Sequence, residues 1–536
     1  MKKNYFLLFL VVPFLNYSQP GSESAIMSIN ATIPYQGYGE STAHVGTGEY
    51  KIFYDNVDGV LDKPIFFVDG FDPNDSRDIP SMYSLLDFGN PVENLADLVR
   101  DEGYDIVVLN FPTYISSTDG STTINGGADF IQRNAFILVE LINTINGMKT
   151  GTEKDVVIGP SMGGLISRYA LRYMEQNFMD HETRLFLSFD SPHLGANVPI
   201  GMQYLFNYMV NGAGITDLQP VVDGLLNSAA AKQMLVDHYL AHLQNGSTYL
   251  QDSGLTTPAG APNFRDAFQT ELDAMGFPQT TRNIAISNGS GIGTGTGTPG
   301  MELINHTFNV SISAISTILR FTPTANNSTT VTGVNITVFG FPAGSFSGTA
   351  QSTANSDGID SAPGGQFDLY SFDDGSNALI TEFVNNLNSQ YFCFIPTLSA
   401  LATPDADWYS SPNLGTSPFA ATYVPTANEP HVTLTTANVA FALDEILNPT
   451  LSIDLSEIAQ VRLQQNPVSN NITLIAPQNW GTAKISVVDM TGKIVLNTSQ
   501  NLSGHTTIPI TLASGLYVLS VESANNRNMK TKFLVR

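Results

Sequence analysis

Two apolar patterns alternate along the chain from about residue 60. PIFFVDGF (64–71) and YDIVVLNFP (104–112) are continuous apolar runs, as strands buried on both faces of a parallel sheet require. Between them Val92, Leu95, Leu98 and Val99 fall at helical spacing, with Pro91 suited to a first helical position. Asp129 to Ile145 repeats the helical pattern, and RLFLSFDSPHLGA (184–196) reads as a strand with its loop. This order predicts an open, mostly parallel α/β sheet with right-handed crossovers. Residues 198 to 280 are mostly helical in pattern. Their surface-facing apolar positions Met202, Tyr204, Leu205, Phe206 and Met209 predict a cap over a site. NIAISNGSG (283–291) reads as a further core strand. Residues 303 to 350 alternate with period two, which predicts an antiparallel insertion. YFCFIPTLSAL (391–401) is expected to return to the core, and Val432 to Leu447 to close with a helix. Beyond residue 461 the pattern changes to short strands separated by turns: NITLIAP, AKISVVD, GKIVLNTS, TTIPITLA, GLYVLSVES and TKFLVR. These predict a small β-sandwich.

The N-terminus divides the picture further. Two lysines precede an apolar run from Phe6 to Leu15, followed by polar residues, so residues 1–18 read as a secretory signal peptide. The run is too short to span a bilayer, and no other stretch predicts a transmembrane helix in the mature chain. The expected division is 1–18 signal peptide, 19–460 α/β domain, and 461–536 C-terminal domain. With 536 residues and a net charge of -25, the chain would repel nucleic-acid backbones and anionic membranes. The single cysteine, Cys393, excludes an internal disulfide and cysteine-based zinc sites, and its apolar setting predicts burial.

Candidate chemistry concentrates in KDVVIGPSMGGLISRYAL (154–171). A β-branched run ends in Gly159-Pro160-Ser161-Met162-Gly163, and a helical pattern starts at once. G-x-S-x-G between strand and helix is a nucleophile elbow: the turn is so tight that residues flanking the serine by two must lack side chains. Gly159 and Gly163 meet that need, and Ser161 is the candidate nucleophile at a helix N-terminus that favours negative charge. A base is expected after the last core strand, where His431 precedes the closing helix. His193 follows a core strand but stands before the usual acid position, so a loop-shaping role is expected. His44, His181, His238, His242, His306 and His505 lack a strand-end setting. The acid has two candidate places. The strand NIAIS ends in Asn288, which is no carboxylate, so the acid is either delayed to SDGIDSAPGG (Asp360 or Asp357) or supplied by Asp190. Chain order favours Asp360. The oxyanion donors are expected to be the backbone N–H groups of Met162 and Phe71. Asp357, Asp360, Asp368, Asp373 and Asp374 offer oxygen ligands for Ca²⁺, but their spacing fits no EF-hand loop and reads as a solvated acidic loop. No cofactor is predicted.

DGFDP, GPSMGG, SFDSPHLGAN and FIPTLSAL resemble the lipase and esterase families of the α/β-hydrolase fold, in the branch related to GPI inositol-deacylases. The resemblance covers roughly residues 55 to 448. It departs at Asp69, where many relatives carry His, and at Asn288. It implies a serine hydrolase of carboxylic esters, and the apolar cap residues suggest a lipid-like ester substrate. A peptidase or amidase on the same fold, and a non-catalytic binding protein on a decayed one, are the alternatives. Asn466-Pro467, Asp489 with Thr491-Gly492-Lys493, Gly515-Leu516-Tyr517 and Lys530 to Arg536 are similar to the type A sorting domain of the type IX secretion system of Bacteroidetes. That resemblance implies the secretion machinery as partner, transit through the periplasm, removal of the domain, and a secreted or surface-attached product.

Overall fold

The computed structural model describes residues 19–373, 375, 377–448, 461–463, 467–523 and 528–536. The expected signal peptide and Asp374 lie outside these residues. Two compact units divide after Asn448, twelve residues before the boundary expected from pattern alone.

The first unit is built on eight strands: β1 (Met27–Asn30), β2 (Thr47–Phe53), β3 (Pro64–Val68), β4 (Asp105–Asn110), β5 (Asp155–Pro160), β6 (Thr183–Phe189), β7 (Arg282–Ile286) and β8 (Ala421–Tyr423). Their spatial order is β1-β2-β4-β3-β5-β6-β7-β8. Strand β2 runs antiparallel to both its neighbours, and from β4 to β8 every pairing is parallel. This is the α/β-hydrolase arrangement. Alternate residues of the continuous apolar strands serve opposite faces. Phe66, Val68, Val107, Leu109, Val157 and Phe186 pack on one face with helices α1 (Ile131–Met148) and α2 (Met162–Gln176). Ile65, Phe67, Ile106, Val108, Val156 and Leu185 pack on the other. There they meet Leu95, Val99 and the closing helix Thr436–Leu447, whose start is held by a Thr435–Asn438 capping box.

The segment Tyr391–Pro396 does not join this sheet as pattern suggested. It pairs instead with Gly364–Asp368 in a separate antiparallel ribbon, and the last core strand is the short β8. The polar loop around Ala421–Tyr423 hid that strand. The insertion forms four antiparallel strands, Glu302–Val310, Ser313–Arg320, Ser328–Val338 and Phe341–Gln351. This sheet covers the helix Ile200–Asn211: the Tyr208 and Phe346 rings stack at 5.0 Å. Met202, Tyr204, Leu205 and Met209 are therefore buried rather than surface-facing, because the insertion supplies the apolar partner.

The second unit is one antiparallel sheet around its own core of Ile472, Leu474, Ile485, Val487, Leu519 and Phe533. Several of the expected short strands merge into two long ones, Asn471–Asp489 and Ile494–Pro509, with a register break between Ala476 and Gly481.

Candidate active site

Ser161 stands between β5 and α2 with φ 52° and ψ -128°, a conformation that costs about 1–3 kcal/mol in a non-glycine residue. The neighbours enforce it. A Cβ on Gly159 would lie 2.5 Å from the Gly163 carbonyl oxygen, and one on Gly163 would lie 2.5 Å from that of Val68. Ser161 N–H donates to the Phe189 carbonyl at 2.8 Å, which ties the turn to the end of β6. The next residue after β6 is Asp190, also at positive φ (46°) and fully buried. His431 comes from the loop after β8, followed by a third strained residue, Val432 at φ 51°. His431 Nε2 lies 2.9 Å from Ser161 Oγ, and Nδ1 lies 2.7 Å from Asp190 Oδ2. Serine, imidazole and carboxylate are thus connected through hydrogen bonds, with the carboxylate and the ring 241 positions apart in the chain.

Asp360, favoured by chain order, is not part of this arrangement. Its Oδ2 accepts from Thr322 N–H at 2.8 Å and Thr322 Oγ at 3.0 Å, and its Oδ1 from Asn197 at 3.1 Å. Burial pushes its carboxyl up to about 6. Asp357 accepts from Ala325 N–H. Both aspartates hold the turn between two strands of the insertion, through Thr322 and Ala325. The carboxylate at the ring is Asp190, whose place is dictated by β6 lying next to β5 in the sheet. The other acidic residues of that region act separately: Asp368 binds Tyr370 N–H and Gln390, and Asp373 binds Thr381. Among the described residues no three His, Cys, Asp or Glu side chains gather as metal ligands.

Phe71 lies on the loop after β3 and Met162 opens α2, and among the described residues neither N–H has an acceptor. The Phe71 loop is braced from below. Asp69 Oδ1 accepts from Gly70 N–H at 2.8 Å and from Arg77 Nε at 3.1 Å, while Arg77 Nη2 donates to the Phe71 carbonyl at 2.9 Å. Burial raises the Asp69 carboxyl to about 6 despite the guanidinium.

A family model described as "Putative serine esterase (DUF676)" matches residues 113–211, a span holding Ser161 and Asp190. One described as "Secretion system C-terminal sorting domain" matches residues 466–536. Residues 113–211 are thus similar to a serine esterase domain, and residues 466–536 to a secretion-sorting domain. Solved structures similar to the esterase are of low identity. They include the peroxisomal α/β-hydrolase Lpx1 of Saccharomyces cerevisiae, at 13% identity and TM-score 0.26, covering 49% of this chain and 74% of that one. The cell-wall-degrading esterase LipA of Xanthomonas oryzae has 12% identity and TM-score 0.29, with 49% and 73% covered. Est1E of Butyrivibrio proteoclasticus has 8% identity and TM-score 0.24, with 49% and 77% covered. No curated protein matches the chain.

A cavity of about 220 Å³ opens onto Ser161 and His431. Its wall is mainly aromatic and aliphatic: Phe71, Phe367, Phe372, Phe392 and Phe394 line it together with Val198 and Leu225 from the cap segment. The Phe394 ring meets the His431 ring edge-on at 4.9 Å. Two supporting residues escaped sequence reasoning. Asn288, noted only as a missing acid, donates its N–H to Asp190 Oδ1 at 3.0 Å, and its side chain donates to Glu429 and the Thr433 carbonyl on either side of His431. Its position at the strand end was the available signal. Gly365 leaves room for the acid, since a Cβ there would lie 1.9 Å from Asp190 Oδ2. His193 is fully buried, bonds Ser188 Oγ at 2.8 Å, and is pushed well below the ordinary imidazole range by desolvation. It reaches neither Ser161 nor His431. The other histidines also have other partners, such as Asp237 for His242 and Glu382 for His306; the side chain of His505 lies outside the described residues.

Proposed function

We propose that this secreted hydrolase cleaves carboxylic esters with an apolar acyl group by acyl-enzyme chemistry, with Ser161 as nucleophile, His431 as base and Asp190 as the orienting acid. The observation that carries the reading is the pair of contacts at 2.9 and 2.7 Å through the His431 ring. With the Nδ1 proton given to Asp190, Nε2 turns its lone pair to the Ser161 hydroxyl. Ser161 attacks the ester carbonyl as His431 takes its proton, and the imidazolium then protonates the leaving alcohol. Water repeats the sequence on the acyl-enzyme and frees the carboxylic acid. The N–H groups of Met162 and Phe71 receive the oxyanion, each such donor being worth about 3 kcal/mol in the transition state. The aromatic wall of the cavity supports an apolar, lipid-like acyl chain over a charged one. Asp190 supplies the carboxylate whose absence at position 288 motivated the non-catalytic alternative. The secretory reading is that the signal peptide carries the chain to the periplasm and the sorting domain directs it out through type IX secretion, where it is removed.

A fluorophosphonate probe should label the wild type and not Ser161→Ala, and that variant should lose p-nitrophenyl butyrate hydrolysis. Residual turnover above about a thousandth of wild type counts against Ser161, since losing a nucleophile costs more. Faster cleavage of the matching anilide than of the ester would favour the amidase alternative.

A further inference from the structure

The insertion sheet ends in two adjacent hairpin tips. Val310 pairs with Ser313 and Val338 with Phe341, so the tips are Ser311-Ile312 and Phe339-Gly340. Phe339 N–H donates to the Ile312 carbonyl at 3.0 Å, which locks the tips side by side. Their side chains are bare: Ile312 is 52% exposed, Phe339 71% and Phe341 74%. Phe339 has φ 50° in a two-residue turn whose mirror-image geometry favours Asn or Gly. A bulky aromatic there works against the backbone, so its presence is not explained by folding.

Charge sets this region apart. The chain carries a net charge of -25, yet from Leu303 through Ser356 Arg320 is the single Asp, Glu, Lys or Arg. Both tips and the strand ends behind them are uncharged. Such a surface carries no charge with which to recruit an anionic membrane, and it suits an electrically neutral lipid surface. It is also continuous with the apolar interior. Further along the tip strands, Phe308 and Ile315 wall a second cavity of about 70 Å³, which shares Phe372 with the catalytic cavity.

We propose that Ile312, Phe339 and Phe341 form a docking surface that enters a neutral lipid surface and brings the esterase to its substrate. The inference rests on the apolar-ester reading of the catalytic cavity. Its test is separable from that reading because binding is measured without turnover. The full chain carrying Ser161→Ala is sedimented with phosphatidylcholine vesicles. It should bind, and binding should persist at 1 M NaCl, where the Debye length falls to about 3 Å and charge attraction is screened. Adding Ile312→Ser, Phe339→Ser and Phe341→Ser should weaken binding by about tenfold or more, because three buried apolar side chains are lost from the interface. The same three changes in active enzyme should leave hydrolysis of soluble p-nitrophenyl acetate unchanged and slow hydrolysis of emulsified triolein. Circular dichroism checks the fold, and Phe339→Ser alone serves if the triple variant unfolds. No sedimentation, equal sedimentation of the tip variant, or binding confined to anionic vesicles at low salt overturns the proposal. So does a tip-dependent self-association without vesicle binding, which would make the tips a protein contact. If vesicle binding behaves as expected but Ser161→Ala retains hydrolysis, the docking surface stands and the catalytic reading falls.

Discussion

Asp190 and Asp360 are both buried aspartates in the same unit, and what separates them is partnership. Asp190 spends its oxygens on His431 and the Asn288 N–H, and Asp360 on Thr322 and Asn197. Asp190→Asn should lower kcat by about 10⁴-fold through loss of tautomer control and of the charge facing the imidazolium. Asp360→Asn should leave kcat within a few-fold. Steady-state kinetics on the two variants decides it, and the reverse ranking would return the acid to the insertion. Asp360 has a different signature. Its native carboxyl titrates near 6, against about 3.9 in an unfolded chain. Between those values the native state holds more protons than the unfolded one, so this group's contribution to stability falls as pH rises from about 4 to about 6. Urea unfolding should therefore show Asp360→Asn gaining on wild type across that interval, and a pH-independent difference would remove the carboxyl from the account. Ser161, Gly159, Gly163 and His431 were legible because a sharp turn and a strand end leave local marks. The acid was not, because its choice depends on which strand lies beside β5, and lateral order in a sheet leaves no mark in a linear pattern.

Elements carry the rest of the positioning. The ribbon strand Gly364–Asp368 takes His431 N–H on the Gln366 carbonyl at 2.8 Å and presses Gly365 against Asp190. Gly365→Ala must displace the carboxylate, and a shift of about 1 Å in such a relay is worth about 100-fold in rate. Kinetics should show the loss in kcat with KM little changed, and a wild-type kcat would mean that the ribbon does not set the acid's place. This ribbon was invisible in advance. YFCFIP reads as a core strand because it is apolar throughout, but it pairs with Gly364–Asp368 and lines the cavity rather than joining the central sheet. The apolar cap helix misled in the same way: Tyr204 looks unpartnered until residues 341–351, far along the chain, supply Phe346. Periodicity reports that a face is covered, never by what.

At the scale of the whole molecule the chain divides into a hydrolase unit and a sorting unit with separate cores. Deleting residues 461 to 536 should therefore leave an active, folded hydrolase that stays in the periplasm of a host with type IX secretion. Cell fractionation and zymography would show it, and export of the truncated chain would break the link between tail and route. Within the hydrolase unit the separation of 270 positions between Ser161 and His431 has a consequence for synthesis. Nucleophile and carboxylate emerge early and close together, while the imidazole arrives only after the cap, the insertion and the ribbon. On the proposed mechanism a nascent or interrupted chain therefore holds an inert serine, and the first ester it can cleave is one it meets after the sheet has closed. Timing of activation is written into loop closure.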